Sequence, residues 1–311
     1  MRVSVVIPVY NEAESLPQLH AELVETAAKQ GLDWELIWVD DGSTDGSWDC
    51  IRMLSARDGR SRGIRFRRNF GKAAALAAGT RAASGSILCT IDGDLQDDPS
   101  ELPRLIQELD RGLDVVSGWK RQRNDPWHKV WPSWVFNRMV SGLTGVHLHD
   151  HNCGMKAYRA DVFREIRLYG ELHRFIPVLA AARGFKVGEL PVNHRPRRHG
   201  HSKYGAWRFV KGFLDLLTVK FLTGFGGRPQ HLLGTIGLLA FALGLAGMIY
   251  LTIIWFIRFW LPHEFDPLHQ RPLLIYSAAA LLLGAQMMSI GFLAELITAY
   301  QSRDEAAYSI A

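Results

Sequence analysis

Apolar residues recur in two rhythms along this chain, and the change of rhythm divides it. In the first part, short β-branched runs alternate with stretches of helical period. Residues 3–7 form a compact apolar run closed by Pro8, which predicts a buried strand. Residues 11–29 place Leu16, Leu19, Leu23 and Ala27 at helical spacing. Residues 36–39 predict a second strand, 47–54 a helix, 63–66 a short strand and 72–83 an alanine-rich helix. Residues 87–91 predict a further strand, ending on Asp92-Gly93-Asp94. Strands alternating with helices imply an α/β fold with a mainly parallel sheet and helices on its faces.

The second rhythm has no polar interruption. No Asp, Glu, Lys or Arg occurs over 232–257 or over 272–294. Each run exceeds the roughly 20 residues a helix needs to cross a bilayer. Ahead of them, residues 206–223 set Phe213, Leu214, Leu217 and Phe221 against Arg208, Lys211, Asp215 and Lys220. That pattern suits a helix lying in the headgroup layer or one packed on the preceding domain. The expected organisation is an α/β domain over 1–205 and an amphipathic juxtamembrane segment over 206–230. Two transmembrane helices follow within 231–298, near 232–257 and 272–296, and a cytoplasmic tail over 299–311. The basic segment before the first span favours placing both chain ends in the cytosol.

Charge changes the picture only a little. A formal net charge of +5 suits an anionic partner. Nucleic acid is disfavoured, because the strand ends are acidic and would repel a phosphate backbone. The three cysteines, Cys50, Cys89 and Cys153, show neither zinc spacing nor a disulfide framework, which fits a reducing compartment. The strand-like N-terminus does not read as a signal peptide.

The candidate chemistry sits where strands end, the edge at which open α/β sheets bind ligands. Asp92 and Asp94, one residue apart, suit a hard divalent cation, Mg2+ or Mn2+, that keeps positions open for phosphates. The first strand ends in Pro8-Val9-Tyr10-Asn11-Glu12, offering a ring to stack on a base and a carboxylate to accept from it. The second ends in Asp40-Asp41-Gly42-Ser43-Thr44-Asp45, where Ser43 and Asp45 are candidate helix caps.

Four segments, 5–12, 39–43, 68–72 (Arg-Asn-Phe-Gly-Lys) and 92–96, stand in the order and spacing of family-2 glycosyltransferases, which they closely resemble. That resemblance implies a nucleotide-diphospho-sugar transferase (GT-A-like) fold over about the first 120 residues. Downstream, 150–159, 173–177, 189–192 and 198–204 are similar to the polyprenyl-phosphate branch, which includes dolichol-phosphate mannose synthases and bactoprenol glucosyltransferases. The resemblance implies that Asp92, Asp94 and Gln96 hold the metal and diphosphate. It places Pro8, Tyr10, Glu12, Asp40, Asp41, Lys72 and Asp92 around the nucleotide-sugar, with Asp94, Asp150 and Arg123 at the reacting centre. It further implies an inverting transfer to undecaprenyl or another polyprenyl phosphate at the cytoplasmic face of a bacterial inner membrane, and a homotetramer.

A lipid monophosphate is already largely ionised near neutral pH, with a second pKa of roughly 6. Holding two anions together is therefore the main task, and cations carry it. Lys120, Arg121, Arg123, Arg198, Ser202 and Lys203 are the expected lipid-phosphate ligands. The glucosyltransferase branch points first to uridine-diphosphate glucose as donor. Guanosine-diphosphate mannose and a uridine-linked aminopentose stay open, as does an inactive membrane scaffold.

Overall fold

The computed structural model describes residues 2–121, 127–168, 170–196, 207–225, 229–261, 267 and 270–301. The chain divides into two compact units, the first built on Met1–Lys220 and the second on Phe221–Tyr308.

The first unit carries a seven-stranded sheet: β1 (Arg2–Val9), β2 (Asp33–Asp40), β3 (Ser61–Arg65), β4 (Ile87–Thr90), β5 (Val115–Trp119), β6 (Lys156–Arg159) and β7 (Val187–Pro191). Their order is β3-β2-β1-β4-β6-β5-β7. β1 pairs in parallel with β2 and β4, β2 with β3, and β5 with β7. Only β6 runs antiparallel, between β4 and β5. This is the expected GT-A-like α/β fold with a mostly parallel, mixed sheet.

Side chains alternate across β1 with the period of two that a strand imposes. Val3, Val5, Ile7 and Val9 enter one buried cluster with Leu16, Leu19 and Leu23 of α1 (Leu16–Gln30). Ile51 and Leu54 of α2 (Ser47–Arg57) and Leu105 and Leu109 of α4 (Leu102–Asp110) belong to the same cluster. Val6 faces the other way, with Ala75 and Leu76 of α3 (Lys72–Ala82) and Ile176 and Ala180 of α7 (Ile176–Ala182). α1 begins at Leu16 rather than at residue 11, because the intervening loop bonds to the end of β2. α6 (Asp161–Glu165) is a short connector.

A third cluster joins Phe136 and Val140 of α5 (Trp127–Thr144), Leu172, Phe175 and Val178 to Leu216 and Val219 of α8 (Trp207–Phe225). The amphipathic segment thus has two apolar sides. Leu216 and Val219 are buried, whereas Phe213, Leu214, Leu217 and Phe221 are exposed.

The second unit contains α9 (Pro229–Trp260) and α10 (Pro272–Gln301), both long and apolar enough to span a membrane. They pack closely through small residues: a Cβ on Gly244 would lie 2.5 Å from Leu281 N, and one on Gly284 2.5 Å from Phe241 N. Glu295, the one acidic residue of α10, accepts the Gln230 backbone N–H at 3.2 Å and satisfies a donor in the first turn of α9.

Candidate active site

Parallel pairing of β1, β2 and β4 brings their carboxyl ends to one edge, and the loops there are tied together. Asn11 N–H donates to Ser43 Oγ at 2.9 Å, and Asn11 Oδ1 accepts from Thr44 N–H at 2.8 Å. Glu12 N–H donates to Ser47 Oγ at 2.9 Å and Ala13 N–H to Asp45 Oδ2 at 3.2 Å. Asn11 adopts φ 57°, a conformation its short polar side chain tolerates. The N-cap of α2 is Gly46, with no side-chain cap; Asp45 accepts from Ser47 N–H at 2.9 Å, and Ser43 serves the β1 loop. Pro8, Tyr10 and Glu12 stand partly exposed on this edge.

The two aspartates ending β2 are turned to protein groups. Asp40 is fully buried; its Oδ1 accepts from Ser43 N–H at 3.0 Å and its Oδ2 lies 3.5 Å from Arg65 Nε. Asp41 accepts from the backbone N–H groups of Phe70 at 2.7 Å and Gly71 at 2.9 Å, fixing the entry to α3. Burial pushes its pKa up and the charge of neighbouring Asp40 adds to the rise, although those two donors oppose it. Gly42 between these loops has φ 71°, and a Cβ there would fall 2.4 Å from the Arg68 carbonyl carbon. Only glycine fits that approach.

Lys72 opens α3, and its ammonium is ion-paired with Asp92. Asp92 lies against Gly154, where a Cβ would come within 2.4 Å of Oδ2. Asp94 is buried, and its Oδ1 accepts from Gln96 N–H at 3.2 Å across Leu95, whose φ is 61°. Ser15 Oγ holds the turn from below by donating to Gly93 O at 2.5 Å.

The facing bank comes from β5, β6 and the segment before β6. Asp150 is buried, with Oδ1 accepting from Asn152 N–H at 3.0 Å. Lys156, at the start of β6, is buried and donates to Cys153 O. Burial lowers its pKa, and the charge of Lys72 adds to that while Cys153, Asp150 and Asp92 oppose it. Burial likewise pushes the Cys153 thiol up to about 12, so it stays protonated. His151 is fully buried beside Ser141 Oγ at 3.3 Å, and burial lowers its pKa to about 4. Lys120 follows β5 and pairs with buried Asp97 at 3.1 Å. Burial opposes its charge, but Asp97 above all raises its pKa beyond the ordinary lysine value. Arg121 is exposed, its guanidinium 5.9 Å from the centre of the Trp119 ring. Trp119 in turn stacks on His149 at 4.1 Å.

Of the expected lipid-phosphate ligands, Arg123, Arg198, Ser202 and Lys203 lie outside the described residues. Arg195, in the same basic run, is committed to the fold, bonded to Glu22 at 2.7 Å and Asp98 at 2.9 Å. Lys156, His151 and Gly154 were not singled out in sequence. All three fall within 150–159, whose resemblance to the polyprenyl-phosphate branch is the signal that points there.

Among the described residues, no three His, Cys, Asp or Glu side chains gather around a common point that could hold a metal. Two carboxylates from one turn, Asp92 and Asp94, nevertheless fit a cation that completes its shell with substrate phosphates. The cleared space at Gly154 leaves Asp92 room beside its backbone.

Residues 4–167 match the family model described as Glycosyl transferase family 2. Over its length the chain is 39% identical to a dodecaprenyl-phosphate galacturonate synthase from Rhizobium johnstonii, covering 98% of this chain and 90% of that protein. It is 35% identical to an undecaprenyl-phosphate 4-deoxy-4-formamido-L-arabinose transferase from Aeromonas hydrophila, covering 95% and 88%. Among solved structures, the glucosyl-3-phosphoglycerate synthase of Mycobacterium tuberculosis, in complex with Mn2+ and UDP-glucose, superposes with a TM-score of 0.54 at 18% identity. That match covers 71% of this chain and 78% of the other, a likeness of fold.

Proposed function

The chain belongs to glycosyl transferase family 2, and from that premise we propose that it transfers a sugar from a nucleotide diphosphate to a polyprenyl phosphate at a membrane surface. The observation that carries this reading is the gathering of Asp92, Asp94 and Lys72 at a strand-carboxyl edge in a chain with two bilayer-length helices. The names of the two full-length relatives support the acceptor class.

In the proposed reaction a lipid-phosphate oxygen attacks the anomeric carbon, the carbon–oxygen bond to the donor diphosphate breaks, and the nucleoside diphosphate leaves with inverted configuration at carbon. A Mg2+ or Mn2+ ion held by Asp92, Asp94 and Gln96 would neutralise charge on the departing diphosphate. Lys72 orients Asp92, and Asp41 orients Lys72 by holding the two N–H groups ahead of it. Lys120 supplies positive charge on the facing bank, where the acceptor phosphate approaches Asp150. The ionised acceptor needs little help from a base.

The exposed apolar strip of α8 supports a helix seated in the headgroup layer, with α9 and α10 crossing the membrane and the first unit in the cytosol. A homotetramer remains part of the reading on resemblance to the branch. For the sugar, the relative that covers 98% of the chain puts a galacturonate donor first. Uridine-diphosphate glucose, first on motifs alone, comes next, ahead of the formamido-arabinose and mannose donors.

The test uses the purified full chain, undecaprenyl phosphate and this panel of nucleotide-sugars, with mass spectrometry of the lipid. One donor should give a lipid-linked sugar in a reaction stopped by EDTA. No lipid-linked product from any donor refutes the assignment, and an EDTA-insensitive product refutes the metal.

A further inference from the structure

Asp97 is a buried carboxylate one residue beyond the turn of Asp92–Gln96, and nothing in the proposed reaction uses it. Its side chain is 1% exposed and lies between Lys120 Nζ at 3.1 Å and His194 Nδ1 at 3.6 Å. The surrounding backbone makes this contact a fixed one. Asp97 and His194 form an antiparallel bridge, and Arg195 N–H donates to Gln96 O at 2.7 Å. Val192 N–H donates to Trp119 O at 3.0 Å, so the exit of β7 is bonded to both the end of β5 and the Asp94–Asp98 turn. Arg195 spans Asp98 and Glu22, which anchors the same segment to α1.

Lys120 stands at the edge where β5 meets the Asp92 turn: a Cβ on Gly118 would lie 2.9 Å from Cys153 Sγ, and the next residue, Gly154, lies against Asp92. The Lys120 side chain is only 17% exposed. A lysine ammonium on a four-carbon stem is a mobile point charge unless something holds it. Among the described residues, Asp97 is the carboxylate paired with it, at 3.1 Å.

We propose that Asp97, backed by His194, is a positioning residue that aims the Lys120 ammonium at the space between Asp92 and Asp150. This rests on the functional reading above, which puts the two phosphates in that space. The pairing spares the site a reorganisation step, because the cation is in place before either phosphate arrives. A displacement of about 1 Å in such a charge costs on the order of a hundredfold in rate.

The test compares Asp97→Asn, Lys120→Met and the double variant of the full chain, each measured for kcat at saturating donor and for donor Kd by calorimetry. Asp97→Asn should lower kcat at least about tenfold while donor Kd stays within about threefold. Adding Asp97→Asn to Lys120→Met should lower kcat by less than about twofold further, since the two act as one unit. Unchanged kcat in Asp97→Asn, or losses that multiply in the double variant, overturns the proposal. Should Asp97→Asn fail to fold, Asp97→Leu with Lys120→Met removes both buried charges together, a change buried pairs often tolerate. That protein should match Lys120→Met alone, and wild-type kcat in it overturns the proposal. Unmodified protein that makes no lipid-linked sugar takes down the functional reading and this inference with it.

Discussion

The two halves of the sheet hold their charges by different means. In the β3-β2-β1-β4 half, carboxylates are satisfied largely by backbone N–H groups of adjacent loops: Asp40 by Ser43, Asp41 by Phe70 and Gly71, Asp94 by Gln96. In the β6-β5-β7 half the charges are buried side-chain cations: Lys120 pairs with buried Asp97, and Lys156 donates to Cys153 O. Backbone donors are fixed by the fold and neutral, so the first half offers a rigid cradle. Side-chain cations carry full charge and suit a bank facing phosphates. The difference suits the proposed division between a half that holds the nucleotide and one that brings anions together.

The largest break in this contrast should come from Asp94→Asn. It removes a charge from the proposed metal site while leaving Gln96 N–H an acceptor, and transfer should fall at least about a thousandfold with membrane insertion unchanged. Radiolabelled sugar transfer and a membrane flotation assay read the two effects. Gly154→Ala follows, because its methyl would collide with the Asp92 carboxylate. Overpacking of this kind costs about 1–3 kcal/mol, so thermal stability should drop and metal affinity with it. Lys72→Met should come third, raising the donor KM roughly tenfold by unpairing Asp92 and removing a cation from the nucleotide half.

His151 sharpens the contrast through pH. Its folded pKa of about 4 lies below the ordinary histidine value, so the folded chain binds fewer protons than the unfolded one between those two values. Stability should therefore fall as pH drops from about 6.5 towards about 4, by up to about 3 kcal/mol. His151→Asn should flatten that slope in a melting-temperature series. A slope unchanged by the substitution removes His151 as its source. The smallest effect is expected from Leu214→Ser with Leu217→Ser on the exposed strip of α8. Use of lipid acceptor should weaken a few-fold, as about 2 kcal/mol of apolar contact with the headgroup layer is lost, while donor binding is untouched.

Legibility in the sequence follows the same division. The first half was readable because its candidate residues stand at the ends of apolar strands: Asp40 and Asp41 at the end of β2, Asp92 and Asp94 after β4. Even there, partners were not visible. Asp41 reads as a nucleotide ligand in sequence, and only the fold shows both its oxygens bonded to N–H groups some thirty residues away. The start of α1 shifted for a like reason, since the Asn11–Ser43 bonds that hold the preceding loop open join distant segments. The second half was hard to read because its contacts link segments far apart. Gly154 meets Asp92 and His194 meets Asp97 across long stretches of chain, and β6 enters the sheet antiparallel between strands that precede and follow it in space rather than in sequence. The bilayer-length helices were evident throughout, because their signal is an absence of charge that no tertiary contact is needed to reveal.

A phosphate on a lipid, already ionised, is the proposed acceptor of the sugar. The direct test offers the purified protein and its preferred donor two acceptors of equal chain length, undecaprenyl phosphate and undecaprenol. Sugar should appear on the phosphate alone, with one nucleoside diphosphate released per lipid product. Sugar on the alcohol, or nucleoside diphosphate released at the same rate with no lipid present, would contradict it.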